Sequence, residues 1–256
     1  MAELALVTLA SLLAGCVDAI VGGGGLILVP ALFAAYPGAA PATLFGTNKG
    51  GAIWGTAFAA WRFVRRVELR WRTWLPACAC ALAGSAAGAW AVTQIDARPL
   101  RIALPLVLLA LLAYTLARKE LGRAHAPRHA PRQEALWAGA IALVIGFYDG
   151  LFGPGTGSFF VFLFVRLLGF DFLHASAAAK LMNTSTNAAA LTLFAATGHI
   201  WWGVALLLAV ANIAGSFIGT HLALSRGAGF VRGVFIGVVG LLILKTGWDA
   251  WRLLAL

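Results

Sequence analysis

Apolar residues fall in long runs along this chain, at about 2–21, 26–36, 41–62, 72–94 and 98–118, and again at about 135–152, 158–169, 174–197, 201–224 and 230–254. A helix needs about 20 apolar residues to cross a bilayer. Most of these runs reach that length, but the second and seventh do not. Each short run follows a glycine cluster: Gly22-Gly23-Gly24-Gly25 in one case, Gly153-Pro154-Gly155-Thr156-Gly157 in the other. Twelve helical residues cover only ~18 Å, so each short run is expected to re-enter as half of a broken hairpin. The pattern predicts an all-α integral membrane protein.

Composition agrees. Of 256 residues, 61% are hydrophobic and 11% charged, less than half the ~25% charged share of a soluble domain. A soluble enzyme, a disordered tail and a disulfide scaffold are excluded. Cys16, Cys78 and Cys80 all lie in apolar runs and read as small core residues. Leu13-Ala14-Gly15-Cys16 has the form of a lipoprotein cleavage box, but Glu3 is the only early charge where a signal peptide has basic residues, so neither cleavage nor lipidation is expected.

A formal charge of +10 would suit nucleic acid, but the positions of the charges argue otherwise. Arg62, Arg65, Arg66, Arg70 and Arg72 form one basic group; Arg118, Lys119, Arg123, Arg128 and Arg132 form another. Both sit between apolar runs, as cytoplasmic loops do. His125 and His129 lie in the second group with no cysteine or third histidine near them in sequence, which gives little support for a metal site.

The two halves match without a gap at a single offset of 131, the separation of Asp18 from Asp149 and of Lys49 from Lys180. Gly15 matches Gly146, Gly22 and Gly24 match Gly153 and Gly155, and Ala83-Gly84-Ser85 with Gly88 matches Ala214-Gly215-Ser216 with Gly219. Trp71 matches Trp202, Arg101 matches Arg232 and Thr115 matches Thr246. Such a set reads as an internal duplication. The loop after the third run is strongly basic, whereas its counterpart, Gly198-His199-Ile200, has no Lys or Arg. The halves are therefore expected to have inverted topology, each with a glycine-broken helical hairpin plus three spanning helices. The expected divisions are a first transmembrane repeat at 1–118, a cytoplasmic basic linker at 119–133 and a second repeat at 134–256. Both termini are expected in the periplasm.

Non-helical backbone at membrane depth is tolerated where protein or a water-filled cavity satisfies it. Two matched breaks point to a central site. A helix begins after each, near Leu26 and near Ser158, and a helix start carries unpaired N–H groups and partial positive charge. Gly24, Gly25, Gly155 and Gly157 would bring backbone amides to an anion, with hydroxyls from Thr156 and Ser158. Lys49 and Lys180 lie ~9–12 Å inside their runs, where an ammonium costs on the order of 2.5–3.5 kcal/mol. Lys180, Asn183, Thr184 and Asn187 share one helical face, against Lys49, Ala52, Ile53 and Thr56 in the first half. Thr47 and Asn48 flank Lys49. Asp18 and Asp149 precede the breaks by four residues, as structural counter-charges or as coupling groups. Gly84, Gly88, Gly215 and Gly219 read as close helix packing, and Trp71, Trp74, Trp201 and Trp202 as interfacial anchors.

Gly15 to Phe33, with its glycine break and Val29-Pro30, resembles the first signature of the sulfite/sulfonate exporter family (TauE/SafE, also called TSUP). Gly46-Thr47-Asn48-Lys49 resembles its next helix start. Asp149 to Phe159 and Ala179 to Asn187 resemble its second-half signatures, in the branch with a Gly-Pro-Gly-Thr-Gly break. The resemblance spans almost the whole chain. It implies a bacterial inner-membrane secondary transporter that exports small sulfur-containing anions such as sulfite or C2 sulfonates by alternating access. The expected partners are a small anion, the lipid bilayer and, for a protein partner, a second copy in a homodimer. No enzyme activity, catalytic residue, cofactor, metal or nucleic acid is expected. A passive anion channel is the first alternative. An intramembrane aspartyl protease built on Asp18 and Asp149 is a more distant one.

Overall fold

The computed structural model describes residues 2–91, 122 and 124–254. The fifth apolar run (98–118), Arg118, Lys119, Arg123 and the Arg101 and Thr115 matches lie outside the described residues. All the regular structure described is helical. In order, the helices are α1 (Ala2–Val21), α2 (Gly25–Ala35), α3 (Pro41–Val64), α4 (Trp71–Ala91), α5 (Pro131–Leu151), α6 (Thr156–Leu163), α7 (Phe172–Ala196) and α8 (Trp202–Leu254). A π-helical turn, Phe164–Leu168, prolongs α6, and α8 is broken at Gly227, where φ is 72°. That break falls in the gap read between the last two apolar runs.

Local chemistry accounts for the starts. Pro41 and Pro131 occupy the first turns of α3 and α5, where a missing N–H costs nothing and the fixed φ suits a helix. Asp171 caps α7 by accepting a hydrogen bond from His174 N at 2.7 Å.

Helices α1, α4, α5 and the Trp202–Leu241 part of α8 are long and apolar enough to cross a membrane. Helices α3 and α7, at 24 and 25 residues, have the length. They fall outside that set because polar residues sit in their middles: Thr47, Asn48 and Lys49 in one, Lys180, Asn183 and Asn187 in the other. Helix α2 has 11 residues, ~16 Å of rise against a ~30 Å hydrocarbon core. Leu6, Leu9, Leu13, Leu136, Val144, Leu206 and Val210 are exposed on the outside of the bundle. An apolar exterior of this kind suits lipid rather than water.

The halves interleave. Helix α1 packs along α8, and α4 along α5. Gly84 lies against the backbone of Leu143 and Phe147, and Gly215 against Leu12 and Cys16; Gly146 faces Ala81, and Gly15 faces Asn212. Each of these contacts recurs 131 residues away. Small residues here let helix backbones touch where no hydrophobic effect drives helices together. A second packing centre is aromatic. Trp74 is 1% exposed and meets Phe164 and Phe170 edge-on at 5.0 and 5.9 Å. This corrects its reading as an interfacial anchor: its face of α4, shared with buried Ala77 and Ala81, turns inward. Trp71, Trp201 and Trp202 are exposed.

Candidate functional site

The two glycine breaks touch. Gly22 packs directly on the backbone of Gly157, and Ser158 Oγ donates to Gly22 O at 3.0 Å. Gly22 and Gly153, equivalent by offset, both have left-handed φ, +77° and +85°, a conformation glycine adopts without penalty. Gly24 and Gly155 are also equivalent but differ: Gly155 is left-handed and Gly24 is helical. The breaks are alike in position and unlike in detail.

A cavity of about 50 Å³ opens between them. At ~10–15 Å³ of such volume per water, it holds a few waters or a small ion. Its wall includes the start of α2 (Gly24, Gly25), the start of α6 (Gly155, Thr156, Gly157) and the middles of α3 (Asn48, Lys49) and α7 (Asn183, Asn187). Asp18 and Asp149 also line it, as do Thr56, Gly153, Phe45 and Asn212.

Lys49 Nζ donates to Asp149 Oδ2 at 2.6 Å and to Asn187 Oδ1 at 3.0 Å. Lys180 Nζ donates to the backbone carbonyl of Asp18 and, at 3.3 Å, to Asp18 Oδ2. Each half thus supplies the lysine for the other half's aspartate. The four charges sum to zero. Asp18 Oδ2 also accepts from Thr56 Oγ1 at 3.3 Å, and Thr56 is the offset equivalent of Asn187.

Some sequence-predicted residues lie elsewhere. Lys180 is fully buried and does not line the cavity; it is held by the backbone carbonyl of Asp18, which also accepts from Gly22 N at 2.8 Å. Ser158 spends its hydroxyl proton on Gly22 O. Thr47 Oγ1 accepts from Trp201 N at 3.1 Å, on the α8 side of α3. Thr184 donates back to Lys180 O within its own helix. Thr156 lines the cavity, but its hydroxyl donates to Gly153 O at 2.6 Å, closing the glycine turn. Asn212 is not among the sequence-predicted residues: it lies mid-helix in an apolar run, with Nδ2 donating to Ser11 O at 3.1 Å. Its lack of a polar partner in the first half, where Ala81 stands, was the only signal.

Two side chains facing the cavity are incompletely satisfied. Asn48 and Asn183 are each 6% exposed, and the amide oxygen of each has no hydrogen-bond partner among the described residues. Oxygen and nitrogen in a side-chain amide exchange places by a flip, so either residue can turn an NH₂ group to a ligand. Both aspartates are committed to lysines, so neither is placed to share a proton with another carboxylate as a protease pair does.

Away from the cavity, His125 stacks on His174 with ring centroids 3.8 Å apart, and His174 Nδ1 lies 2.9 Å from Asp171 Oδ2. Burial, then the charge of His174, lowers the His125 imidazole below its ordinary value.

A multi-span helical bundle with a small polar cavity between broken helices is the build of a multi-pass membrane protein, and the family and relatives it matches are those of membrane transporters. The chain belongs to the sulfite exporter TauE/SafE family, whose profile matches residues 7–246. It is 35% identical over 244 residues to the probable membrane transporter protein YfcA of Escherichia coli K12, covering 94% of this chain and 88% of that one. It is 34% identical over 233 residues to the probable membrane transporter protein ORF9 of a Sinorhizobium species, covering 91% and 88%. A probable membrane transporter protein of Haemophilus influenzae is 33% identical over 246 residues, covering 96% and 95%. No solved structure matches the chain.

Proposed function

We propose that this protein is a secondary transporter of small sulfur-containing anions, such as sulfite or a C2 sulfonate, in a bacterial inner membrane. The observation that carries the reading is the cavity: a lysine ammonium and two under-satisfied asparagine amides meet the starts of two helices. Donors and partial positive charge converge there, and the volume suits a small oxyanion. The family's description adds sulfite and the outward direction to this expectation. The substrate's three oxygens would be taken by Lys49, Asn48, Asn183 and the backbone near Gly25 and Gly157.

The matched halves would rock against each other to alternate access, as inverted repeats do. The basic loop at Arg62 to Arg72 supports a cytoplasmic position for that side and a periplasmic one for both termini.

The test is flux into liposomes containing the purified protein, with sulfite, thiosulfate and ethanesulfonate as probes. Saturating flux with counterflow is expected, and it should be lost in Lys49→Ala. Flux that rises linearly with concentration and shows no counterflow would identify a channel. Absence of flux for all three probes would overturn the anion reading.

A further inference from the structure

We propose that Asp149 is a proton site, and that each anion crosses together with one proton. This rests on the anion reading above and adds a second transported species.

The argument starts from charge. Lys49 is the only basic side chain lining the cavity among the described residues, and its ammonium is already held by Asp149 and Asn187. An ammonium has three donors, so one remains for an incoming anion. Before entry, Lys49, Lys180, Asp18 and Asp149 sum to zero. An anion alone would bring the buried site to −1, with two negative groups competing for one ammonium. Uncompensated charge in such a place is expensive. If a proton enters as well, Asp149 becomes a neutral acid, Lys49 turns to the anion and the sum returns to zero. No bond other than the O–H of Asp149 forms or breaks.

Of the two aspartates, Asp149 is the one free to do this. Asp18 Oδ2 is held by Lys180 and Thr56, and Oδ1 lies 3.5 Å from Gly24 N. Its protonation would weaken the hold on Lys180, which is fully buried and has no cavity face. Asp149 Oδ2 has Lys49, which the anion itself draws away.

The other groups around Asp149 do not replace it. Beside it on α5, Tyr148 donates its hydroxyl to Pro154 O at 2.6 Å. From α7, Asn187 is neutral and Lys180 is bound to Asp18. The only charged residue of α4, Arg72, is in its first turn. Helices α2 and α6 contain no ionisable side chain. Glu134, at the far end of α5, accepts from Thr73.

The cycle is electroneutral for a monovalent anion. Its driving force is the anion gradient plus the pH gradient, without the membrane potential. Export against an inward proton gradient then requires a steeper outward anion gradient.

Ethanesulfonate is the probe, because a sulfonate stays ionised and leaves the protein as the only titrating partner. Liposomes carry a pH-sensitive dye, and potential is set with potassium and valinomycin. Wild type should move one proton per sulfonate, in the same direction, at a rate indifferent to potential. Asp149→Asn should lose the proton signal, and the sulfonate it moves, at whatever rate, should become sensitive to potential, since its loaded Lys49 site has no titrating partner. Sulfonate movement by wild type without protons, or unchanged proton coupling in Asp149→Asn, would overturn the proposal. Failure of wild type to move any of the three anions would instead overturn the anion reading. Infrared difference spectra give an independent readout in wild type: addition of ethanesulfonate should raise a protonated-carboxyl band that Asp149→Asn lacks. Sulfonate binding with no such band in wild type would also overturn the proposal.

Discussion

Lys49 reaches across the bundle to Asp149, 100 residues away in sequence and 2.6 Å away in space. The equivalent pair, Lys180 and Asp18, spans 162 residues in the reverse sense. The two ion pairs cross between the halves and tie each glycine break to a helix of the other half. They differ in surroundings. The Lys49 pair faces the cavity, whereas the Lys180 ammonium is sealed behind the break in α1.

This difference predicts separate outcomes for the two lysines. Lys180→Met leaves Asp18 without its cation and takes one of two donors from its backbone carbonyl. Breaking a buried pair in this way costs about 3–5 kcal/mol, so the melting temperature in detergent should fall sharply. The double variant Lys180→Met with Asp18→Asn should recover part of that loss. Lys49→Met should lose less, because Lys49 borders a cavity from which water can take its place beside Asp149, whereas Lys180 does not. Equal losses for the two variants would contradict the division into a sealed lysine and a cavity lysine.

Contact between the breaks predicts that Gly22 tolerates no side chain. A methyl there meets the backbone of Gly157 and Ser158, and the left-handed φ adds ~1–2 kcal/mol to an overpacking cost of about 1–3 kcal/mol. Gly22→Ala should lower the melting temperature and abolish flux. Gly38→Ala, where no atom of the described residues lies within 4 Å of the added carbon, should do neither.

Much of this was legible before any coordinates. Among the described residues the run lengths locate the helices, and the breaks at Gly22 and Gly153 follow from glycine content and from the short runs after them. Lys49 and Asp149 stood out because charge is costly in apolar surroundings. Partnership was not legible: one offset relates Lys49 to Lys180 and Asp18 to Asp149, but it does not say that the pairs cross. The hydroxyls of Ser158 and Thr156 read as ligand donors, since sequence does not show which carbonyls a broken helix leaves to be satisfied. Trp74 and Trp71 are three residues apart on one helix, and only packing against Phe164 separates the buried one from the exposed one. Asn212 was hidden by having no polar counterpart.

The His125–His174 stack predicts a pH response outside the membrane. Burial, then His174, lowers the His125 imidazole, with Arg70 adding to this and Asp171 and Glu134 opposing it. The folded protein therefore binds fewer protons than the unfolded chain just below about pH 6.5. Stability rises with pH wherever the unfolded state holds more protons. This contribution is present above that value and is lost as pH falls toward the lowered one. Melting temperatures between pH 8 and 5 should decline less in His125→Phe, which keeps a ring beside Phe170 (4.9 Å between centroids) and cannot charge. An identical decline in both proteins would remove His125 as the source.

The glycine seams offer a test of the duplication in energetic terms. Gly84 meets Leu143 and Phe147 on α5, and Gly215 meets Leu12 and Cys16 on α1; in each case the nearest atoms are backbone, which cannot move aside as a side-chain tip can. A methyl at either position must push two helices apart, at ~1–3 kcal/mol by the usual cost of overpacking. Gly84→Ala and Gly215→Ala should therefore lower the melting temperature by similar amounts. Their effects should add in the double variant, since the seams share no residue. Gly237→Ala on α8, where no atom of the described residues lies within 4 Å of the added carbon, should be neutral or stabilising by up to about 1 kcal/mol, the helix preference for alanine over glycine. A large loss at one seam with none at the other would mean that the matched contacts do not bear matched loads.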